Sequence, residues 1–453
     1  MKIKKRFLVL FIFLSYLSYS NDNTTDTITT VADISDVKET LNYGIEAEVL
    51  NFIKSLNEPL SDEYMALIVS RYNNSVLTET KIGMINYFVR CNSLSDAIIA
   101  SLFNDAQSED VDRQIKANIF YALAKHGTEE HYNYLFKQLD SDDKVLLSSA
   151  SNAINRIKNK SVAPLILKKL QDATNDPEIV MQADVRNNLI LSLGALEYKE
   201  AAPYLREILK NDPNDTFLVM YTMFSLAQLA DIESIPLIRT RLASTEKKIK
   251  DYAAYSLSSF KDISMIDIYK DMLLHNDAAV RVYGCRGVVT NQFTSLIDIL
   301  LYRFNKDPDN NVKNEALKSL VLLKNDGITA IKDTMKNKKY NYSHYYVVSE
   351  TLIKDPSQEN IDFTLELYKS ADKTGKEIIA KNIVKSQSNL IDPLINELLS
   401  SPDYLIRLGA INAILSITDT TLESRLKEIS ENDTVATVKK TASKVLLILG
   451  SKK

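Results

Sequence analysis

The chain has 453 residues, 45% of them apolar and 25% charged, with a formal net charge of −4. Only 10 glycines and 10 prolines occur, too few for long irregular stretches, so the composition predicts regular structure around a large core. A weakly acidic balance is also wrong for a groove that must neutralise phosphates, which argues against a nucleic-acid binder.

The N-terminus reads as an address. Lys2, Lys4, Lys5 and Arg6 precede an apolar run from Phe7 to Leu17, and Ser18 and Ser20 place small residues where a signal peptidase reads. Residues 1–20 are therefore expected to be a signal peptide cleaved after Ser20. The alternative is an uncleaved anchor, for which the run is short. The first cysteine is Cys91, so no cysteine is placed for lipid attachment near the cleavage site. The expectation is an exported protein, periplasmic or otherwise extracytoplasmic. Cleavage removes four positive charges and no negative ones, taking −4 to −8. Residues 21–43 open with a stretch rich in Asn, Asp and Thr and read as a flexible tether. Beyond residue 20 no window approaches the roughly 18 apolar residues of a membrane span.

Residues 44–453 are dominated by one recurring signature. It reads IKANIFYAL from Ile115, IKDYAAYSL from Ile249, VRVYGCRGV from Val280, VKNEALKSL from Val312, IRLGAINAI from Ile406 and VKKTASKVL from Val438, returning every 30 to 39 residues. A fixed period of this size marks a solenoid. Counting its first residue as zero, positions four, seven and eight share one helix face. Position four holds residues such as Ile119, Ala253 and Ala410. Position seven is small (Ala122, Ser225, Ser256, Gly287, Ser319), and position eight is aliphatic throughout, Val384 included. Small residues beside aliphatic ones let neighbouring helices approach closely.

Three residues ahead of the signature an Asp recurs, at Asp112, Asp143, Asp215, Asp277, Asp309 and Asp403, placed to cap the helix. An earlier helix in each unit opens with Pro164, Pro203, Pro236 or Pro393, as suits a first turn. Pro177, Pro213, Pro308 and Pro402 fall between the two helices. Cys91 and Cys285 lie about six repeats apart, and repeats in a stack touch only their neighbours, so no bridge is expected. Both read as small buried residues.

A Pro-initiated first helix paired with Asp-x-x-[Val/Ile]-[Arg/Lys] opening the second resembles HEAT repeats. The short period is similar to that of the phycobilisome lyase-type variant. The resemblance spans about Ile45 to Gly450. It implies an all-α fold, a right-handed α-solenoid or α-α superhelix of about 11–12 helix-turn-helix units, with a degenerate one around Thr80–Phe88. Departures fall where His344 and Lys376 replace the leading aliphatic residue and where Gln171–Ala183 is lengthened. HEAT-type enzymes include di-iron hydroxylases whose ligands resemble paired His-Glu dipeptides, and this chain has none. A bilin-lyase role follows only by association, with no residue to carry over.

Catalytic motifs are missing too. His126 and His131, beside Glu129 and Glu130, lack the spacing of a zinc motif and read as solvated loop residues. There is no Walker-type loop and no nucleophile elbow, so the sequence predicts no catalytic residue, no metal and no cofactor. The basic second residue of the signature (Lys116, Arg186, Lys250, Arg281, Lys313, Arg407, Lys439) is expected to pair with the capping Asp of an adjacent repeat. What stands out is positions three and six of three successive units: Tyr221 and Phe224, Tyr252 and Tyr255, Tyr283 and Arg286. Aromatic rings with Arg have the composition of a binding hot spot, although Tyr at position three can equally pack between helices. A second cluster, Tyr340, Tyr342, Tyr345 and Tyr346, falls in an atypical unit and reads more simply as filler. The expected role is a non-catalytic scaffold for a protein or peptide, the alternative being a lyase-like enzyme without a recognisable motif.

Overall fold

The computed structural model describes residues 34–56, 60–176, 178–211, 214–335, 341–417 and 420–451. The expected signal peptide lies outside them, as do Pro177, Pro213 and Tyr340. The described residues hold α-helices and short 3-10 turns, with no strand among them. The fold is all-α, an α-solenoid of HEAT-like helical hairpins. Among the described residues, twenty-six α-helices make thirteen hairpins in chain order.

One correction falls at the start. Ile34–Tyr43 is a helix, so the last part of the expected tether belongs to the array. Its overall polarity hides an apolar stripe: Val37 and Leu41 are one turn apart on one face, and both are buried. That helix supplies the hairpin beyond the expected count. The degenerate unit proves regular, for Thr78–Arg90 buries Met84, Ile85, Tyr87 and Phe88.

The chain divides into two compact units, residues 1–131 with 143–149, and residues 132–142 with 150–453. Within the second unit the second helices of successive hairpins pack side by side in one row, from Ala183–Ala195 through Thr216–Gln228, Lys247–Ser258, Ala278–Thr290 and Asn310–Leu322 to Tyr342–Lys354. The six predicted capping aspartates all cap. Asp112, Asp143, Asp215, Asp277, Asp309 and Asp403 each accept from a backbone N–H in the first turn of their helix. Pro164, Pro203, Pro236 and Pro393 each sit in the first turn of the first helix, directly after a 3-10 turn.

The small residue at position seven is now explained. A Cβ on Gly287 would run into the ring of Tyr269, which is buried with its hydroxyl donating to the carbonyls of Leu257 and Phe260 at 2.8 and 2.9 Å. At two of the serine positions the hydroxyl reaches back to the preceding second helix: Ser225 donates to the carbonyl of Ile190 (2.9 Å) and Ser319 to that of Cys285 (3.2 Å). Position eight has one exception. Val384 is exposed, because the chain tightens into a 3-10 turn at Ile383–Lys385 and Ile383 takes the core place instead.

The second helices end on a device the sequence hides. Glu197, Ala230, Gln292 and Lys324 adopt left-handed backbone, with φ of 53 to 57°, all at position twelve of their units. In the first three, the following N–H closes back on a carbonyl five residues earlier, Tyr198 to Leu193, Asp231 to Leu226 and Phe293 to Val288. This is a Schellman ending, ordinarily built on glycine.

Candidate protein-binding face

The predicted aromatic residues come together on the row of second helices in the second unit. The rings of Phe224 and Tyr255 stack at 5.8 Å between centroids and 10° between planes. Tyr255 meets Tyr252 edge-on at 6.4 Å and Tyr283 edge-on at 5.6 Å. The guanidinium of Arg286 lies 5.0 Å from the Tyr283 ring centre. Tyr221 stands 6.1 Å from Phe217, whose ring carries the ammonium of Lys248 at 5.2 Å. The period of the array brings position three or six of each unit beside its counterpart in the next.

The five predicted rings are half-buried and Arg286 is exposed. Tyr221, Tyr252 and Tyr283 sit deep enough that burial raises their phenol pKa values, so packing between helices is part of their role. Among the described residues, the hydroxyls of Tyr252, Tyr255 and Tyr283 have no hydrogen-bond partner. They can donate to or accept from something brought to the face. Arg286 is held by Glu315 through two hydrogen bonds of 2.9 and 3.2 Å. Burial works against its charge, but the carboxylate more than offsets this and raises its pKa.

In four units the basic second residue of the signature pairs with an aspartate of the next, in two registers. Arg186 and Lys250 reach the capping aspartates of the next unit, Asp215 and Asp277, at 2.5 and 3.4 Å. Arg281 and Arg407 depart from the expectation by pairing with Asp307 and Asp433, two residues earlier. There the fork of the guanidinium meets both carboxylate oxygens while its remaining nitrogen donates to two backbone carbonyls. Burial opposes these carboxylates, yet the arginines hold them below the usual range. Lys439 donates to the Glu431 carbonyl. An Asp five residues before the signature was the signal to find.

The histidines also differ from expectation. His126 closes the Arg113–His126 helix with Nε2 3.1 Å from the Phe88 carbonyl, and His131 is buried, edge-on to Phe103 at 4.6 Å. His131 Nδ1 accepts the Thr128 N–H at 3.0 Å, so it helps cap the next helix rather than sit in solvent. Burial lowers the pKa of both. Among the described residues no three His, Cys, Asp or Glu side chains are grouped to hold a metal ion, and no helix is long and apolar enough to cross a membrane. Cys91 and Cys285 are free and buried. In the second tyrosine cluster Tyr345 is buried, while Tyr346 lies beneath the ammonium of Lys385 at 4.7 Å.

No family model and no curated protein matches the chain. Solved structures that it resembles in part include YibA of E. coli, at 17% identity over 63% of this chain and 94% of that one, with a TM-score of 0.38. Another is human deoxyhypusine hydroxylase in complex with glycerol, at 13% identity over 60% and 96%, with a TM-score of 0.27. A third is the complex of CpcE and CpcF of phycocyanin lyase from Nostoc sp. PCC7120, at 17% identity over 62% and 97%, with a TM-score of 0.26.

Proposed function

We propose that the protein is a non-catalytic scaffold, exported to an extracytoplasmic compartment, which holds a protein or peptide partner on the row of second helices. The observation that carries this is the aromatic ladder over three successive helices, from Phe224 through Tyr255 to Tyr283 and Arg286. Large amphipathic rings with arginine are the residues on which binding energy concentrates. Here they are pre-organised by one another, so little side-chain entropy is lost on contact. A regular stack supplies a rigid surface on which many small contacts add. Export rests on the basic start and apolar run of residues 1–20.

In-cell crosslinking followed by pull-down tests the reading. The wild-type chain should recover a partner that a folded Phe224→Ala plus Tyr255→Ala variant loses. Equal recovery by both would remove the ladder from the binding face.

A further inference from the structure

Position six of four consecutive second helices reads Phe224, Tyr255, Arg286, Lys318. Two rings are followed by two cations, one per repeat, on the same flank of the row. The rings are half-buried and the cations exposed. Arg286 turns one side of its fork to Glu315, and Lys318 has no ion-pair partner among the described residues. On the next second helix Glu350 is answered by both Lys354 and Lys385. From Arg286 onward these side chains number four cations against two carboxylates, although the whole chain is acidic.

We infer that this strip binds an extended peptide segment whose first half is apolar or aromatic and whose second half is acidic, in one chain direction or the other. The inference rests on the protein-binding reading above and specifies its partner. Packed helices lie about 8–10 Å apart, and an extended chain of polyproline II type advances about 3.1 Å per residue and brings every third side chain to the same side. Roughly every third residue of the ligand therefore faces the next position six. The matching pattern is two apolar or aromatic residues three apart, then two Asp or Glu residues at the same spacing. The rings take the apolar pair, the phenol hydroxyls of Tyr252 and Tyr283 serve the ligand's backbone, and Arg286 and Lys318 take the carboxylates.

Fluorescence anisotropy on the full chain, with a labelled peptide of about twelve residues carrying Phe, Phe, Glu and Glu at this spacing, tests it. The expected result is saturable binding that weakens with added salt and that Lys318→Glu reduces roughly tenfold. A peptide with Lys in place of Glu should bind the wild type poorly and regain affinity for Lys318→Glu. Because Arg286 is tied to Glu315, its test is the milder Arg286→Gln, with circular dichroism confirming the fold. Equal binding of the acidic and basic peptides to wild type would overturn the inference, as would tighter binding of a single-stranded oligonucleotide. If Phe224→Ala plus Tyr255→Ala abolishes partner recovery in cells while Lys318→Glu leaves it intact, the scaffold reading stands and this specificity fails.

Discussion

Arg281 and Asp307 face each other through two hydrogen bonds of 2.8 Å, one from Nε and one from a terminal guanidinium nitrogen, and both side chains are almost wholly out of water. Asp307 also receives Arg303 at 3.2 Å and the N–H of Asp309 at 3.0 Å. The pair thus ties one second helix to the loop that starts the next.

Breaking one side of this pair should cost far more than replacing both. Asp307→Ala leaves a buried guanidinium uncompensated, at about 3–5 kcal/mol. Arg281→Met with Asp307→Leu should come closer to neutral. Urea unfolding of the wild type and the two variants checks the order. Because Asp307 has a lowered pKa when folded, its contribution is present above the unfolded carboxylate value. It is lost as pH falls through the folded one, so the wild type should lose its margin over the double variant in strong acid.

The left-handed residues offer a gain. Ala230 and Gln292 carry φ of 54 and 53°, a conformation costing a residue with a Cβ about 1–2 kcal/mol. Glycine removes that cost but adds unfolded-chain entropy, so Ala230→Gly and Gln292→Gly should each stabilise by roughly 0.5–1 kcal/mol net. Ala227→Gly, inside the helix that Ala230 terminates, should instead cost about 1 kcal/mol. Thermal unfolding midpoints that fall in all three would contradict the geometry.

His131 should make stability depend on mild acid. Its Nδ1 accepts the Thr128 N–H, which only an unprotonated nitrogen can do, and burial lowers its folded pKa below 6.5. The contribution is therefore fully present above pH 6.5 and disappears as pH falls through the lower folded value. His131→Phe keeps a ring beside Phe103 but cannot titrate. It should be less stable at pH 7.5 and show a flatter stability slope between about pH 7 and 5. An imidazole titration by NMR gives the folded pKa directly.

The stack of Phe224 on Tyr255 should be worth about 0.5–1.5 kcal/mol beyond the area the rings bury. A double-mutant cycle with Phe224→Ala and Tyr255→Ala measures that coupling. Additive losses would mean that the rings are neighbours without being partners.

Local and periodic physics determined what could be read from the sequence. The caps at Asp215 and Asp309, the first-turn prolines and the small position seven are set within one helix or by a fixed period, so the string alone carries them. The candidate face was legible to the same extent, since Tyr221, Tyr252 and Tyr283 recur at one register and Phe224 and Tyr255 at another. Only the tertiary structure decided which of those rings stack, that Arg286 is shared with Glu315, that Arg281 bypasses the capping Asp309 for Asp307, and that Arg407 pairs with Asp433. It also drew the Ile34–Tyr43 helix and His131 into packing. Each of those outcomes depends on distances between residues far apart in the chain, and periodicity sets a register without setting a rotamer.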